Sequence, residues 1–266
     1  MIVQAMRLPT SLALLLFIFI AQPAFAQVSH EPILAKRGTL ILNDDFTIDR
    51  AKGWVKLPGG SSARAGAAEW KKMDGFYRSG WHPGSGHAPV MVYQGDFTNV
   101  VVQCVFRCGE ITEDYHHQCF RLALDNRELY TGHVLSAWAN QNNDFIDTGL
   151  LLQHIRKTPE KVVLADLRLD KRPIHLVPGK WYTATLEVVK DQVLYRVQGE
   201  DEAEPVIASA QFKELNVPKL TMSITLGTTP HDLKSLKVWK AKPNPQWEVQ
   251  KDKLLSKRKM ANSPGQ

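Results

Sequence analysis

Five side chains suited to acid–base or metal chemistry crowd one short stretch. Glu110, Glu113, Asp114, His116 and His117 lie within eight residues. Carboxylates and imidazoles at that density suit a divalent cation or a general acid and base. Glu110, Asp114 and His117 are the candidate catalytic residues. Neighbouring residues of a regular strand point to opposite faces, so His116 and His117 could hold one ion only from a bent loop. A polar loop without a ligand is the alternative reading.

The flanking stretches have strand periodicity. In Val100–Cys108 the set Val100, Val102, Cys104, Phe106 and Cys108 is apolar, and Val101, Gln103, Val105 and Arg107 form the other face. In the next stretch Phe120, Leu122 and Leu124 are apolar, while His117, Cys119, Arg121 and Ala123 oppose them. Matching apolar face to apolar face predicts that Arg107, Gln103, Arg121 and His117 gather on one non-core surface. Arginines beside a histidine can hold sugar hydroxyls or the carboxylate of an acidic sugar. A surface patch of cross-strand charges is the simpler alternative.

Aromatic rings that could stack on sugars are Trp81, Trp138, Trp54, Tyr93 and His82. Trp81 sits in a Gly- and His-rich loop, and Trp138 precedes the amide-rich run Ala139-Asn140-Gln141-Asn142-Asn143-Asp144. Trp181 and Trp239 lie inside strand-like runs and are expected in the core. His133, between leucines, is expected to be a core histidine. Retaining glycosidases need two carboxyl groups about 5 Å apart. No strand-like run carries such a pair free of an intervening arginine.

The elements that must position these groups are short and turn-bounded. Thr39–Leu42, Val90–Tyr93, Asn99–Cys108, Cys119–Leu124, Leu129–Trp138, Val162–Leu169, Trp181–Val189, Gln192–Val197, Leu220–Leu226 and Ser235–Lys240 read as strands. Lys190-Asp191 reads as the turn of a hairpin. Ser61–Lys72 is alanine-rich but has no apolar stripe. Ten to fourteen strands without an internal linker predict an all-β, two-sheet sandwich over residues 27–246.

The order of several motifs resembles a known family. Asp44-Asp45-Phe46, Gly53-Trp54 and Trp70–Tyr77 resemble the opening of concanavalin A-like jelly-roll domains of secreted bacterial proteins. Tyr93-Gln94-Gly95-Asp96-Phe97 with the strand ending Phe106-Arg107 resembles the 3-keto-disaccharide hydrolase domain family. So do Pro178-Gly179-Lys180-Trp181 and Leu226-Gly227 followed by Leu236–Trp239. The resemblance covers roughly residues 38–242 and implies a jelly roll in a sugar-related setting. It departs at 108–121, where that family has a short Gly-Asn-Ser-Gly turn. Two functions follow as expectations. One is an enzyme of the 3-keto-glycoside type working by acid–base chemistry, with or without a divalent metal. The other is a non-catalytic glycan-binding module. In both, carbohydrate is the partner and Arg107, Arg121, Trp81 and Trp138 are the binding residues.

Charge and composition bound the alternatives. With 44 % hydrophobic and 23 % charged residues the composition is that of a globular protein. Met1–Ala26 has the layout of a signal peptide, with an apolar run over 11–20 and Ala24-Phe25-Ala26 as cleavage site. A secreted or periplasmic location follows as an expectation, with no membrane span after cleavage. Five bases against two acids give 247–266 a net +3, and Arg7 leaves with the leader, so 27–246 carries only +2 of the overall +6. A body so near neutrality, without a recognition motif, does not point to nucleic acid. The basic tail 247–266 is expected to be disordered. Cys104, Cys108 and Cys119 are expected to be free thiols, with Cys119 the most reactive.

Overall fold

The structure is a computed structural model that describes residues 30–261, apart from 51–52, 127, 129–131, 143–145 and 158–162. The side chains of 83, 156–168 and 255–261 also lie outside the description, as do the leader-like segment 1–26 and the end 262–266. Sixteen strands are described. They are β1 (Ala35–Asp44), β2 (Val55–Lys56), β3 (Ser62–Gly66), β4 (Glu69–Lys72), β5 (Tyr77–Gly80), β6 (Val90–Gln94), β7 (Val100–Cys108) and β8 (Gln118–Asp125) in the first half. The second half holds β9 (Leu135–Gln141), β10 (Gly149–Lys157), β11 (Val163–Arg172), β12 (Trp181–Val189), β13 (Gln192–Gly199), β14 (Val206–Gln211), β15 (Thr221–Leu226) and β16 (His231–Pro243).

They form two antiparallel sheets. Sheet A has the order β14-β13-β12-β7-β16-β5-β4, with β1 also on β16, and sheet B the order β11-β10-β9-β8-β15-β6-β3-β2. The protein is an all-β, concanavalin A-like jelly-roll sandwich. The hairpin expected at Lys190-Asp191 joins β12 to β13, with Lys190 at φ 55°. The alanine-rich stretch 61–72 is β3 and β4, linked by Ala67 and Ala68 at positive φ, so the chain leaves sheet B and enters sheet A there.

The core lies between the sheets, and the predicted phase of β7 and β8 is the observed one. Val100, Val102, Cys104, Phe106 and Cys108 from sheet A meet Phe120, Leu122 and Leu124 from sheet B. Phe106 and Phe120 stack at 4.1 Å. Their phase is as expected but their pairing is not. β7 pairs with β12 and β16, and β8 with β9 and β15. The two strands face each other across the core rather than lying side by side. Two polar groups stitch the layers. His231, fully buried on β16, accepts the Cys119 amide through Nε2 at 3.2 Å and donates from Nδ1 to the Thr229 carbonyl at 2.6 Å. Asp44 and Arg50 form a buried ion pair that also receives the Tyr93 hydroxyl at 3.0 Å.

The tail differs from expectation. Trp247–Ala261 is a helix, α1. Trp247 packs with Leu34, Val101, Val189 and Leu194 on the outside of sheet A. The N-terminal strap beside it is held by buried Glu187, which accepts the Ile33 and Ala35 amides at 2.8 and 2.9 Å and pairs with Arg196. No helix among the described residues is long and apolar enough to cross a membrane.

All three cysteines are free and buried. Cys119 points outward from sheet B as its phase requires, but Trp138, Leu151 and Ile146 cover it. Burial pushes its thiol up to about 12 and those of Cys104 and Cys108 well above the usual range. Since the thiolate is the reactive form, all three should resist labelling in the native protein, including Cys119, contrary to the sequence expectation. Titration after unfolding without reductant should find three thiols; one thiol would mean a disulfide and a different register.

Candidate functional site

The expected constellation divides between the two outer surfaces. Because β7 and β8 belong to different sheets, Arg107 emerges on the outside of sheet A and Arg121 on the outside of sheet B. Alternation fixes which residues face the core but not which strand is the neighbour. The connection at 109–117 is long enough to pass from one layer to the other.

That connection does not assemble the expected centre. Glu110, Glu113, Asp114 and His116 are exposed. The loop closes on itself, Thr112 donating its amide to the Tyr115 carbonyl and accepting the Tyr115 amide at its hydroxyl. Tyr115 meets Trp81 edge to face at 6.0 Å, so Trp81 supports this loop. Among the described residues no three His, Cys, Asp or Glu side chains could hold one metal ion. Among the described residues, Glu110, Asp114 and His117 are therefore not gathered into a cation site. His117 is turned to sheet B instead, with Nε2 2.7 Å from Asn140 Oδ1. The Asn140 amide group donates to the Ile146 and Asp147 carbonyls at 3.1 and 3.0 Å. That leaves its oxygen for His117, so the imidazole donates from Nε2.

The outside of sheet B is built around Arg121. The register puts Thr225, Arg121, Trp138 and Leu151 side by side across β15, β8, β9 and β10. The adjacent row is Ser223, Ala123, Ser136 and Gln153. All four residues of that second row are buried. The Arg121 guanidinium lies 4.6 Å over the Trp138 ring and donates to Ser136 Oγ from Nε at 3.3 Å and Nη2 at 3.1 Å. Trp138 is only 7 % exposed, and its Nε1 donates to Gln153 Oε1 at 3.1 Å. The ring therefore carries the arginine rather than offering a bare platform for a sugar. Sequence reasoning missed Ser136 and Gln153, because isolated hydroxyl and amide residues in a strand carry no signal of their own.

Arg121 is 8 % exposed, yet among the described residues its hydrogen bonds go only to one hydroxyl. Burial lowers its pKa, opposed by the field of Asp125 further along β8. Asp125 itself holds His133 Nδ1 at 2.6 Å. His133 is thus a partly exposed member of an acid–imidazole pair, not a core histidine. On the outward register positions of β8, β9, β10 and β15, Asp125 is the only acid among the described residues. Of the other aromatic candidates, Tyr93 is in the core and Trp54 is exposed under Arg64.

Sheet A carries Arg107 in a different setting. Asp232 binds it and Arg78 together, and Phe76 and Trp181 flank the three. Trp181, expected in the core, faces outward in phase with Thr183, Thr185 and Glu187, a phase readable in the sequence.

No family model matches the chain, and no curated protein matches its sequence. Among solved structures it is similar to the CBM2 module of the evolved Dit protein of Lactobacillus casei BL23 phage J-1, at 12 % identity and TM-score 0.49, covering 78 % of this chain and 98 % of that one. A Bacillus subtilis protein of unknown function with a galectin-like fold matches at 11 % identity and TM-score 0.48, covering 79 % and 100 %. The VIP36 exoplasmic/lumenal domain bound to Ca2+ and Man2 matches at 12 % identity and TM-score 0.45, covering 70 % and 84 %.

Proposed function

We propose that this protein is a carbohydrate-binding jelly roll whose sheet B receives an acidic sugar, the carboxylate of the sugar pairing with Arg121. The observation that carries this reading is the Arg121 guanidinium: buried, stacked on Trp138, and bonded among the described residues only to Ser136. A buried charge without an opposite charge in contact is expensive, and such groups concentrate at functional positions. A planar carboxylate would take two of its donors at once. Ser136, Thr225 and Ser223 place hydroxyls around it for the hydroxyls of a sugar. The signal-peptide layout of residues 1–26 supports action outside the cytoplasm.

Binding without catalysis is the form we favour, because among the described residues Asp125 is the only acid on the outward positions of β8, β9, β10 and β15, and hydrolysis of a glycoside calls for two carboxyl groups. The 3-keto-glycoside reading rests on the motif resemblance over residues 38–242, and an activity screen on oxidised and ordinary disaccharides tests it.

Titration with tetragalacturonate and with its methyl ester tests the binding reading. The acid should bind and the ester should not. Arg121→Gln should weaken sheet B binding ten- to a hundredfold, the equivalent of about 1.5–3 kcal/mol for a charge-assisted pair. Equal binding of acid and ester, or an Arg121→Gln chain that binds at sheet B as well as the parent, would contradict the reading.

A further inference from the structure

We propose that the outside of sheet A holds a second site for anionic saccharide, formed by Arg78, Arg107, Lys234, Phe76 and Trp181 around Asp232, and that the monomer is therefore bivalent. The ligand class rests on the reading of Arg121 given above; the site itself rests on separate residues.

The patch is a built arrangement. The Asp232 side chain is 5 % exposed and sits beneath two arginines. Arg78 donates to it from Nε at 2.7 Å and from Nη2 at 3.0 Å. Arg107 donates from Nε at 2.9 Å and from Nη2 at 2.5 Å. One carboxylate thus fixes both guanidinium planes through the same edge and leaves each Nη1 unused by it. The two side chains are 40 % and 26 % exposed, so those donors are within reach of a ligand. Lys234, exposed, lies 5.4 Å from the Trp181 ring, and Arg107 lies 4.4 Å from it. Phe76 meets Trp181 edge to face at 6.2 Å, and both rings are half-buried. Three cations against Asp232 and against Glu200, whose Oε1 accepts the Trp181 amide at 3.4 Å, leave the patch at +1. Lys71, beside Arg78 in the register, is paired with Glu69.

Charge complementarity and the two rings together select the occupant. A neutral sugar would leave the cations uncompensated, and a bare anion would leave the rings unused. A uronic acid residue offers a carboxylate for the arginines and an apolar ring face for the aromatics. The same unit of guanidinium on indole therefore appears twice, Arg121 on Trp138 and Arg107 on Trp181. The two units lie on opposite sides because β7 and β8 face each other through Phe106 and Phe120. Stacked sheets are about 10 Å apart, so a short oligosaccharide reaches one unit only and a long chain joins two molecules.

Calorimetry with tetragalacturonate and turbidity with polygalacturonate test the inference. The parent chain should bind two equivalents and cross-link the polymer. Arg107→Gln should leave one equivalent and no turbidity, with the lost site weakened at least tenfold. Trp181→Ala should do the same while keeping the Asp232 pairs, which separates loss of the site from local misfolding. Arg121→Gln should also leave one equivalent, at the other site. A single equivalent that survives Arg107→Gln and Trp181→Ala but is lost in Arg121→Gln overturns the second site and upholds the first. A single equivalent with the opposite pattern overturns the Arg121 reading and bivalency, and upholds the sheet A site. Equal affinity of this patch for hexaglutamate or a deoxythymidine hexamer overturns its assignment to saccharide.

Discussion

Replacing Arg50 by methionine should cost about 3–5 kcal/mol of folding stability, the usual loss when one partner of a buried ion pair is removed. Arg50 is fully buried and Asp44 nearly so. Besides pairing with Asp44, the guanidinium donates to the Ile48 carbonyl from Nε at 3.1 Å and Nη2 at 2.9 Å. Asp44 in turn accepts the Phe46 amide at 2.9 Å and the Tyr93 hydroxyl. Without the cation, Asp44 remains an uncompensated charge between the layers. Neutralising it as well, in Asp44→Asn with Arg50→Met, should restore a large part of the loss. Denaturant unfolding measures both; a loss below about 1 kcal/mol in the single variant would mean that water reaches the pair.

Acid should destabilise the protein through His231. Burial lowers its pKa to about 4, from an ordinary value of 6.5. Between those values the unfolded chain holds the proton and the folded one does not, so stability falls as pH drops from 6.5 towards 4. The shift corresponds to about 3 kcal/mol. It is fully present above pH 6.5, where neutral His231 accepts the Cys119 amide and ties sheet A to sheet B. His231→Gln keeps a donor and an acceptor without titrating. Its stability should change less over that interval than the parent's, by up to the same amount. Parallel pH profiles for the two proteins would contradict the assignment.

Much of the sandwich is readable in the sequence, because strand alternation registers burial directly. The inward set of β7 and that of β8 follow from their apolar phase, and the β12–β13 hairpin from two alternating runs around Lys190-Asp191. What alternation cannot supply is the partner. A strand shows the same inward phase whether its successor lies beside it or across the core, and so Arg107 and Arg121 were expected together and are found apart. The short strand β3 was hidden because alanine carries little β preference, and β4, Glu69-Trp70-Lys71-Lys72, because four residues with one apolar side chain show no alternation. Helix α1 was hidden because two well-separated apolar residues, Trp247 and Leu254, pack a segment that is otherwise mostly charged, with Val249 exposed. In the site, the arginines and tryptophans were visible as residue types. Their pairing into Arg121 on Trp138 and Arg107 on Trp181 depends on register between strands far apart in the chain.

The central claim is that Arg121 on its Trp138 base receives the acid group of a sugar, and side-chain resonances test it most directly. In the Trp181→Ala chain, where sheet B is the remaining site, tetragalacturonate should shift the Arg121 Nε–H and the Trp138 indole N–H together with the amides of Ser136 and Gln153. Saturating tetragalacturonate that leaves these four signals in place, or shifts only residues of sheet A, would contradict it.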